Sequence, residues 1–175
     1  YKAAKLRRIT RYRYNNVPGD NGARNYYLSL MDSNAVNAKP IDTWSPTFLP
    51  CKTPLDSYKC RQGIGYTVFE AAKHGIESKL TAFVPLKTNA EVNRLDVTNT
   101  TDAPVVLDVT GSVEWCLWNA VDDSSNFQRN LSTGEVEIEK QDDATLIYHK
   151  TEFKERRNHY AFFAVNSPVV GFDTS

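Results

Sequence analysis

This 175-residue sequence lacks long runs of apolar residues. No stretch approaches the roughly 18 consecutive apolar residues that a membrane-spanning helix needs, so we expect no membrane partner. Residues 1–5 also lack the apolar segment of a secretory signal, and the chain lacks an initiator methionine. We therefore expect a cytoplasmic protein whose natural start precedes Tyr1.

Cysteine is scarce as well. The three cysteines are Cys51, Cys60 and Cys116. Their odd number argues against a disulfide framework and fits a reducing compartment. They lack the paired CxxC spacing of a zinc site, and the three histidines lie far apart in the sequence. We therefore expect no bound metal.

An excess of one charge is also missing, since 21 Lys and Arg balance 21 Asp and Glu. A neutral chain has no electrostatic reason to bind nucleic acid or an anionic membrane. The local exception is a basic run in residues 2–13, which we interpret as the solvated face of a strand. We expect no nucleic-acid partner.

What the sequence does have is an alternation of apolar and polar residues with a period of two. Six apolar residues fall on odd positions with polar residues between most of them, and Gly111 marks a bend or bulge in the predicted strand; the six are Val105, Leu107, Val109, Val113, Trp115 and Leu117. Similar strand signals recur at 66–72, 76–84, 136–139, 146–149 and, as a mostly apolar run that favours a central strand, at 158–165. Turn-forming residues at 73–75 and 99–104 separate neighbouring strands. Since no helical stripe extends over three turns, the pattern predicts one all-β domain over 1–175, an antiparallel β-sandwich.

One polar segment, residues 118–133, interrupts this pattern directly after the longest predicted strand. Loops on rigid strands are where binding residues concentrate. Asp122 and Asp123 are adjacent within it, and adjacent carboxylates rarely point into one site, so we interpret them as turn or capping residues. On composition alone, the chain is an all-β domain with side chains suited to sugar contact.

Several segments together resemble one known family. They are 5–18, 43–46 (Thr43-Trp44-Ser45-Pro46), 55–67, 83–86, 114–120 (Glu114-Trp115-Cys116-Leu117-Trp118-Asn119-Ala120) leading into 126–137, 147–153 and 155–161. In this order they are similar to the N-terminal super-sandwich domain of the cellobiose phosphorylases in glycoside hydrolase family 94. The stretch 28–39 fits that pattern least.

The resemblance implies a glycosyltransferase-type phosphorylase that cleaves a β-glucosyl disaccharide with phosphate, giving α-glucose 1-phosphate and a sugar. Inorganic phosphate is then a co-substrate, and no cofactor is expected. The family's catalytic acid lies in a downstream (α/α)6 barrel, so this incomplete N-terminal piece is expected to carry no catalytic residue. We predict that the isolated chain is inactive.

The resemblance also implies partners: the downstream helical catalytic domain and the second subunit of a homodimer. In the family, the N-terminal domain of one subunit reaches the active-site mouth of the other. The matching substrate-binding positions are Asn119, Asn126, Gln128 and Arg129. A bracing role, with Arg129 paired to Asp122 or Asp123, stays open.

The alternative function is a free-standing carbohydrate-binding or structural interaction module. The two hypotheses differ in the sequence expected beyond Ser175, because a helical-barrel continuation would favour the enzyme. Cellobiose and cellodextrin specificity are not separable here, because downstream residues decide much of that choice.

Overall fold

The computed structural model describes residues 24–32, 39–115, 134–141, 144–151 and 160–173. Every regular element in these ranges is a strand. The strands are β1 (Arg24–Met31), β2 (Pro40–Trp44), β3 (Ser57–Gly63), β4 (Tyr66–Lys73), β5 (Ile76–Phe83), β6 (Val92–Asn99), β7 (Val106–Val113), β8 (Gly134–Gln141), β9 (Ala144–Thr151) and β10 (Tyr160–Val165). The all-β prediction is therefore confirmed. Within these ranges no helix is long and apolar enough to cross a membrane.

Contacts divide the chain into two compact units, one of residues 17–112 and the other of residues 1–16 and 113–175. The first unit contains a four-stranded sheet, β3-β4-β5-β6, and most of a three-stranded sheet, β2-β1-β7. The second contains a three-stranded sheet, β10-β9-β8. That residues 1–175 form one domain stays a prediction.

The four-stranded sheet is a meander in which each strand pairs antiparallel with the next. Turns at 64–65 and 74–75 make the first two connections. In β5, Ile76, Ser78 and Leu80 are buried while Glu77 and Lys79 are exposed. This alternation fixes which face of the sheet points inward, because a slip of one residue would reverse it.

The core of the first unit lies between its two sheets. Leu28 of β1, Trp44 of β2 and Ile76 of β5 are almost wholly buried and form one cluster. Partly buried leucines pack around that cluster; they are Leu30, Leu55, Leu95 and Leu107. Because the cluster draws on strands of both sheets, their apolar faces pack on each other, as in a sandwich.

The second unit's sheet is also an antiparallel meander. Ile138 of β8, Ile147 of β9 and Phe163 of β10 lie opposite one another in the register. All three are partly buried, so they define one apolar face across the three strands.

Several strand predictions are confirmed. The segments 66–72 and 76–84 match β4 and β5 to within one residue at their ends, and residues 73–75 include the turn between them. The segments 136–139 and 146–149 lie within β8 and β9.

Two details of the strand predictions are wrong. Val109 of β7 is 50% exposed, although its odd position predicted burial. In the described sheets β7 is an edge strand whose neighbour is β1. Side chains on β7 are therefore covered by a neighbouring strand on one side only. Similarly, β10 lies at the edge of the described β10-β9-β8 sheet instead of its centre, and Phe162 is 52% exposed.

Candidate functional site

The substrate-binding residues predicted from the sequence all fall in the interval 116–133. They are Asn119, Asn126, Gln128 and Arg129, and they lie outside the described residues. Before this interval β7 ends at Val113, and after it β8 begins at Gly134. The acceptor-loop assignment therefore stays a prediction.

The outer face of the four-stranded sheet carries a row of alternating charge. Strand register sets Lys59, Glu70, Lys79 and Asp96 opposite one another on β3, β4, β5 and β6. Opposite charges directly across a strand pair stabilise the sheet, whereas like charges oppose it. This row also lines a shallow depression of about 510 Å³.

Two residues further along the same face, the two central strands carry uncharged side chains instead of charged ones. There the register aligns Arg61, Val68, Thr81 and Arg94. Val68 is 8% exposed, so the middle of this row is covered. The two arginines stand on the edge strands of the sheet.

The last row on this face contains two aromatic side chains, and we call it the aromatic row. It aligns Gly63 of β3, Tyr66 of β4, Phe83 of β5 and Val92 of β6. Tyr66 is 50% exposed and Phe83 38% exposed. The neighbouring connections add two fully exposed apolar side chains, Ile64 and Leu86.

Each arginine next to the aromatic row forms an ion pair with a carboxylate from the row of alternating charge. Arg61 pairs with Glu70, and Arg94 pairs with Asp96 at 2.9 Å. The two arginine side chains stay 50% and 73% exposed. A guanidinium has five N–H donors, so each arginine keeps donors for a second partner.

At the opposite end of the sheet, a polar cluster ties the two sheets together. Asp42 of β2 accepts from Lys73 Nζ at 3.3 Å and lies 2.8 Å from His74 Nε2. The hydrogen bond from His74, followed by the bond from Lys73, holds the pKa of the Asp42 carboxyl below its ordinary value. The His74 ring also meets the edge of Trp44, with ring centroids 6.0 Å apart.

Further bonds fix the turn that carries His74. Its backbone N–H donates to Asp56 Oδ2 at 3.0 Å, and Lys73 Nζ donates to the Pro54 carbonyl at 2.7 Å. His74 itself has a positive φ of 53°, a conformation that costs energy for a residue other than glycine. The cluster therefore holds a strained turn in place, which is a structural role.

Sequence reasoning missed both the aromatic row and the Asp42 cluster. The spacing from Asp42 to His74 carries no local signal, because β2 and the β4–β5 turn belong to different sheets. The aromatic row could have been found by aligning the predicted β4 and β5 about their turn, since Tyr66 then falls opposite Phe83. Within the described ranges, no group of three His, Cys, Asp or Glu could hold a metal ion.

The described residues are thus all-β, and their first unit is a sandwich with polar and aromatic rows on the face of its four-stranded sheet. A family model, that of the glycosyl hydrolase 94 supersandwich domain, matches residues 1–175. The chain therefore belongs to the glycosyl hydrolase 94 supersandwich domain family. The resemblance inferred from the sequence segments is confirmed.

Three similar proteins are named as phosphorylases. The chain is 29% identical over 139 residues to an N,N'-diacetylchitobiose phosphorylase of Vibrio furnissii, an alignment covering 78% of this chain and 16% of the relative. It is 28% identical over 133 residues to the enzyme of the same name from Vibrio proteolyticus, covering 75% of this chain and 16% of the relative. It is 24% identical over 150 residues to a solabiose phosphorylase of Paenibacillus borealis, an alignment covering 86% of this chain and 18% of the relative.

These alignments cover less than a fifth of each relative's length. The chain thus corresponds to one part of those enzymes, and the glycosyl hydrolase 94 supersandwich domain family is the level that the comparisons establish. The names differ in the disaccharide, so family membership alone leaves the substrate open.

Proposed function

We propose that this chain is the N-terminal domain of an inverting disaccharide phosphorylase. The observation that carries the proposal is the family match over residues 1–175, supported by relatives that are phosphorylases. The complete enzyme would work in the cytoplasm, where inorganic phosphate serves as co-substrate and no cofactor is required.

The proposed reaction needs one acid from the protein. A phosphate oxygen attacks the anomeric carbon from the face opposite the glycosidic oxygen, which inverts the configuration at that carbon. The carbon–oxygen bond to the second sugar breaks, and the departing oxygen takes a proton from the acid. A hydrolase would also need a base to activate water, but phosphate is already a nucleophile. We assign the acid to the downstream helical domain.

The proposed substrate is a β-linked disaccharide of the cellobiose type. The names of the relatives widen the set to test, because they specify diacetylchitobiose and solabiose for those proteins. A substrate panel should therefore vary both the donor ring and the second sugar.

Within that enzyme, we propose that this chain supplies acceptor-side and dimer contacts. The residues proposed to bind the acceptor sugar across the homodimer are Asn126, Gln128 and Arg129, with Asn119 nearby. Amide and guanidinium groups suit this role because they offer hydrogen bonds in the fixed directions that sugar hydroxyls require.

The test is an assay of the complete protein that contains this chain. Each disaccharide of the panel is incubated with phosphate, and the released sugar 1-phosphate is measured together with its anomeric configuration. We expect an α-configured sugar 1-phosphate from at least one β-linked disaccharide. The 175-residue chain alone, assayed in parallel, should release none.

Hydrolysis to two free sugars without phosphate consumption would contradict the proposed reaction. Sugar 1-phosphate released by the 175-residue chain would contradict the assignment of the acid to the downstream domain. Release of a β-configured product would contradict inversion.

A further inference from the structure

We propose that the aromatic row on the outer face of the four-stranded sheet is a carbohydrate-binding platform for a flat chain of β-linked pyranose units. Its residues differ from the acceptor-binding residues proposed within 116–133, and the proposal does not depend on phosphorolysis. Its core is the pair Tyr66 and Phe83, with Val92 extending the row and Arg61 and Arg94 beside it.

The first argument is the alignment of the row. Tyr66 and Phe83 are directly opposed partners on β4 and β5, and Val92 opposes Phe83 on β6. Neighbouring strands are about 4.8 Å apart, so the part of the row from Tyr66 to Val92 extends over roughly 10 Å. That length matches roughly two linked pyranose rings, so the row could contact a disaccharide unit of a longer chain.

The second argument is how Tyr66 is held. A Cβ placed on Gly63 would overlap the Cε1 and Cζ atoms of the Tyr66 ring. The ring therefore lies across the backbone of β3 at its glycine, in space that any side chain would occupy. Such a ring is oriented by the strand beneath it, so little of its rotamer freedom is left to lose on binding.

The third argument is the combination of apolar and polar groups. The C–H faces of β-linked pyranose rings are apolar and flat, which suits contact with exposed aromatic rings. Their hydroxyls lie at the ring edges. Arg61 and Arg94 stand on the two edge strands, one residue row away, with donors in excess of their carboxylate partners.

The polar groups also favour a sugar over an apolar protein surface. A protein covering the row and its surroundings would bury the Arg61–Glu70 and Arg94–Asp96 ion pairs, and desolvating a charge pair is costly. A sugar chain brings hydroxyls that bond to these groups and can leave their outer sides in water. The partial exposure of both aromatic rings fits such a shallow site.

The experiment titrates the 175-residue chain with cellohexaose and with N-acetylchitohexaose by isothermal titration calorimetry. Maltohexaose is the control ligand, because its α linkages curve the chain and prevent flat contact with a straight row. We expect saturable binding of at least one β-linked hexasaccharide, and binding of maltohexaose that is at least about tenfold weaker.

Three variants locate the binding. Tyr66→Ala and Phe83→Ala should each weaken binding about threefold to tenfold, since each removes one ring contact. Tyr160→Ala is the matched control, because Tyr160 is 65% exposed in the other unit, and it should leave the affinity unchanged. Thermal melts verify that each variant is folded.

Gly63→Ala tests the orientation of Tyr66 separately. Its new methyl group must displace the ring, so binding should weaken with Tyr66 present and should not weaken further in the Tyr66→Ala background. This non-additivity distinguishes a displaced ring from general damage to β3.

Several results would overturn the proposal. The first is a titration in which neither β-linked hexasaccharide reaches saturation. The second is an unchanged sugar affinity in the double variant Tyr66→Ala/Phe83→Ala. The third is a loss of affinity in Tyr160→Ala as large as that in Tyr66→Ala or Phe83→Ala. Sedimentation adds one more: if the double variant abolishes self-association of the chain but leaves sugar affinity unchanged, the row is a contact between copies. Since none of these measurements uses phosphorolysis, failure here would leave the proposed function untouched.

Discussion

Asp42 and His74 join the two sheets of the sandwich, with Asp42 Oδ2 lying 2.8 Å from His74 Nε2. Asp42 belongs to β2, in the three-stranded sheet, and His74 to the turn between β4 and β5 in the other. Lys73 reaches the same carboxylate oxygen at 3.3 Å. The carboxylate of Asp42 therefore stabilises the fold most when it is charged.

The first prediction concerns acid. The pKa of Asp42 is lowered in the folded protein from its ordinary value of 3.8, chiefly by the hydrogen bond with His74. A group with a depressed folded pKa stabilises the fold above its unfolded pKa, and that stabilisation is lost as the pH falls through the folded value. Asp42→Asn should cost about 0.5–1 kcal/mol at about pH 7 because the cluster is partly exposed, and the difference from wild type should shrink as the pH drops below about 4.

Urea denaturation of both proteins across this pH range measures that difference. Asp96→Asn is the matched control, since Asp96 pairs with Arg94 within a single strand at 44% exposure. It should change the free energy of unfolding by less than Asp42→Asn. A constant gap between wild type and Asp42→Asn down to acid pH would refute the role of the charged form.

The second prediction compares two glycines with positive φ. Gly75 has φ 71° and a Cβ there would lie 2.5 Å from Thr101 Cγ2, whereas Gly65 has φ 84° and open space around it. The Thr101 hydroxyl is bonded to Asn99 Oδ1 at 2.7 Å, so this side chain cannot turn away freely. Gly65→Ala should cost about 1 kcal/mol from backbone strain, and Gly75→Ala at least about 1 kcal/mol more.

Chemical denaturation of the two alanine variants provides the measurement, with the same buffer and probe for both. Equal destabilisation would mean that Thr101 yields without cost. In that case the backbone conformation alone determines both values.

The third prediction concerns the core. Leu28 is fully buried between the sheets, so Leu28→Ala should reduce the free energy of unfolding by about 2–5 kcal/mol through lost burial and a residual cavity. Ile41 is 64% exposed on the neighbouring strand, and Ile41→Ala should change it by no more than about 0.5 kcal/mol. Urea denaturation measures both changes. Similar losses of unfolding free energy in the two variants would contradict the assignment of Leu28 to the sandwich core.

The fourth prediction concerns the proposed acceptor loop in the complete enzyme. Arg129→Ala should weaken use of the acceptor sugar, by about ten- to a hundredfold in the specificity constant, if a charge-assisted hydrogen bond is lost. The dependence on phosphate should change less. Kinetics in the synthetic direction, with the acceptor sugar varied, measure the effect.

The alternative role for Arg129 has a different signature. If it braces the loop through Asp122 or Asp123, Asp→Asn at those positions should damage the enzyme equally and without acceptor selectivity. An unchanged acceptor dependence in Arg129→Ala would remove the binding role.

The sequence predicted a strand and its inner face where one face of that strand is buried and the other is exposed to solvent. In β5, polar residues alternate with buried ones, so both the strand and its inner face could be predicted. In β3 every residue is exposed, so the brief alternation of Tyr58 and Cys60 with polar residues does not correspond to a buried face. Its existence depends on pairing with β4, which a periodicity within β3 cannot reveal.

The surface sites were less predictable for a related reason. The aromatic row depends on register across four strands, and the contact of Asp42 with His74 depends on how two sheets pack. Neither leaves a local motif. The proposed acceptor residues, in contrast, came from a family resemblance, and the domain family is confirmed while their positions in space lie outside the described residues.

The order of strands has a consequence for how the chain folds. Strands β3 to β6 pair with their immediate successors, so each hairpin closes only a short loop and can form early. β1 and β7 are also neighbours, yet the whole meander lies between them in the chain. Their pairing closes a much longer loop, so we expect it to come after the meander and to set the slow step of folding. On this view a nascent chain completes the sandwich of the first unit only once β7 has emerged from the ribosome.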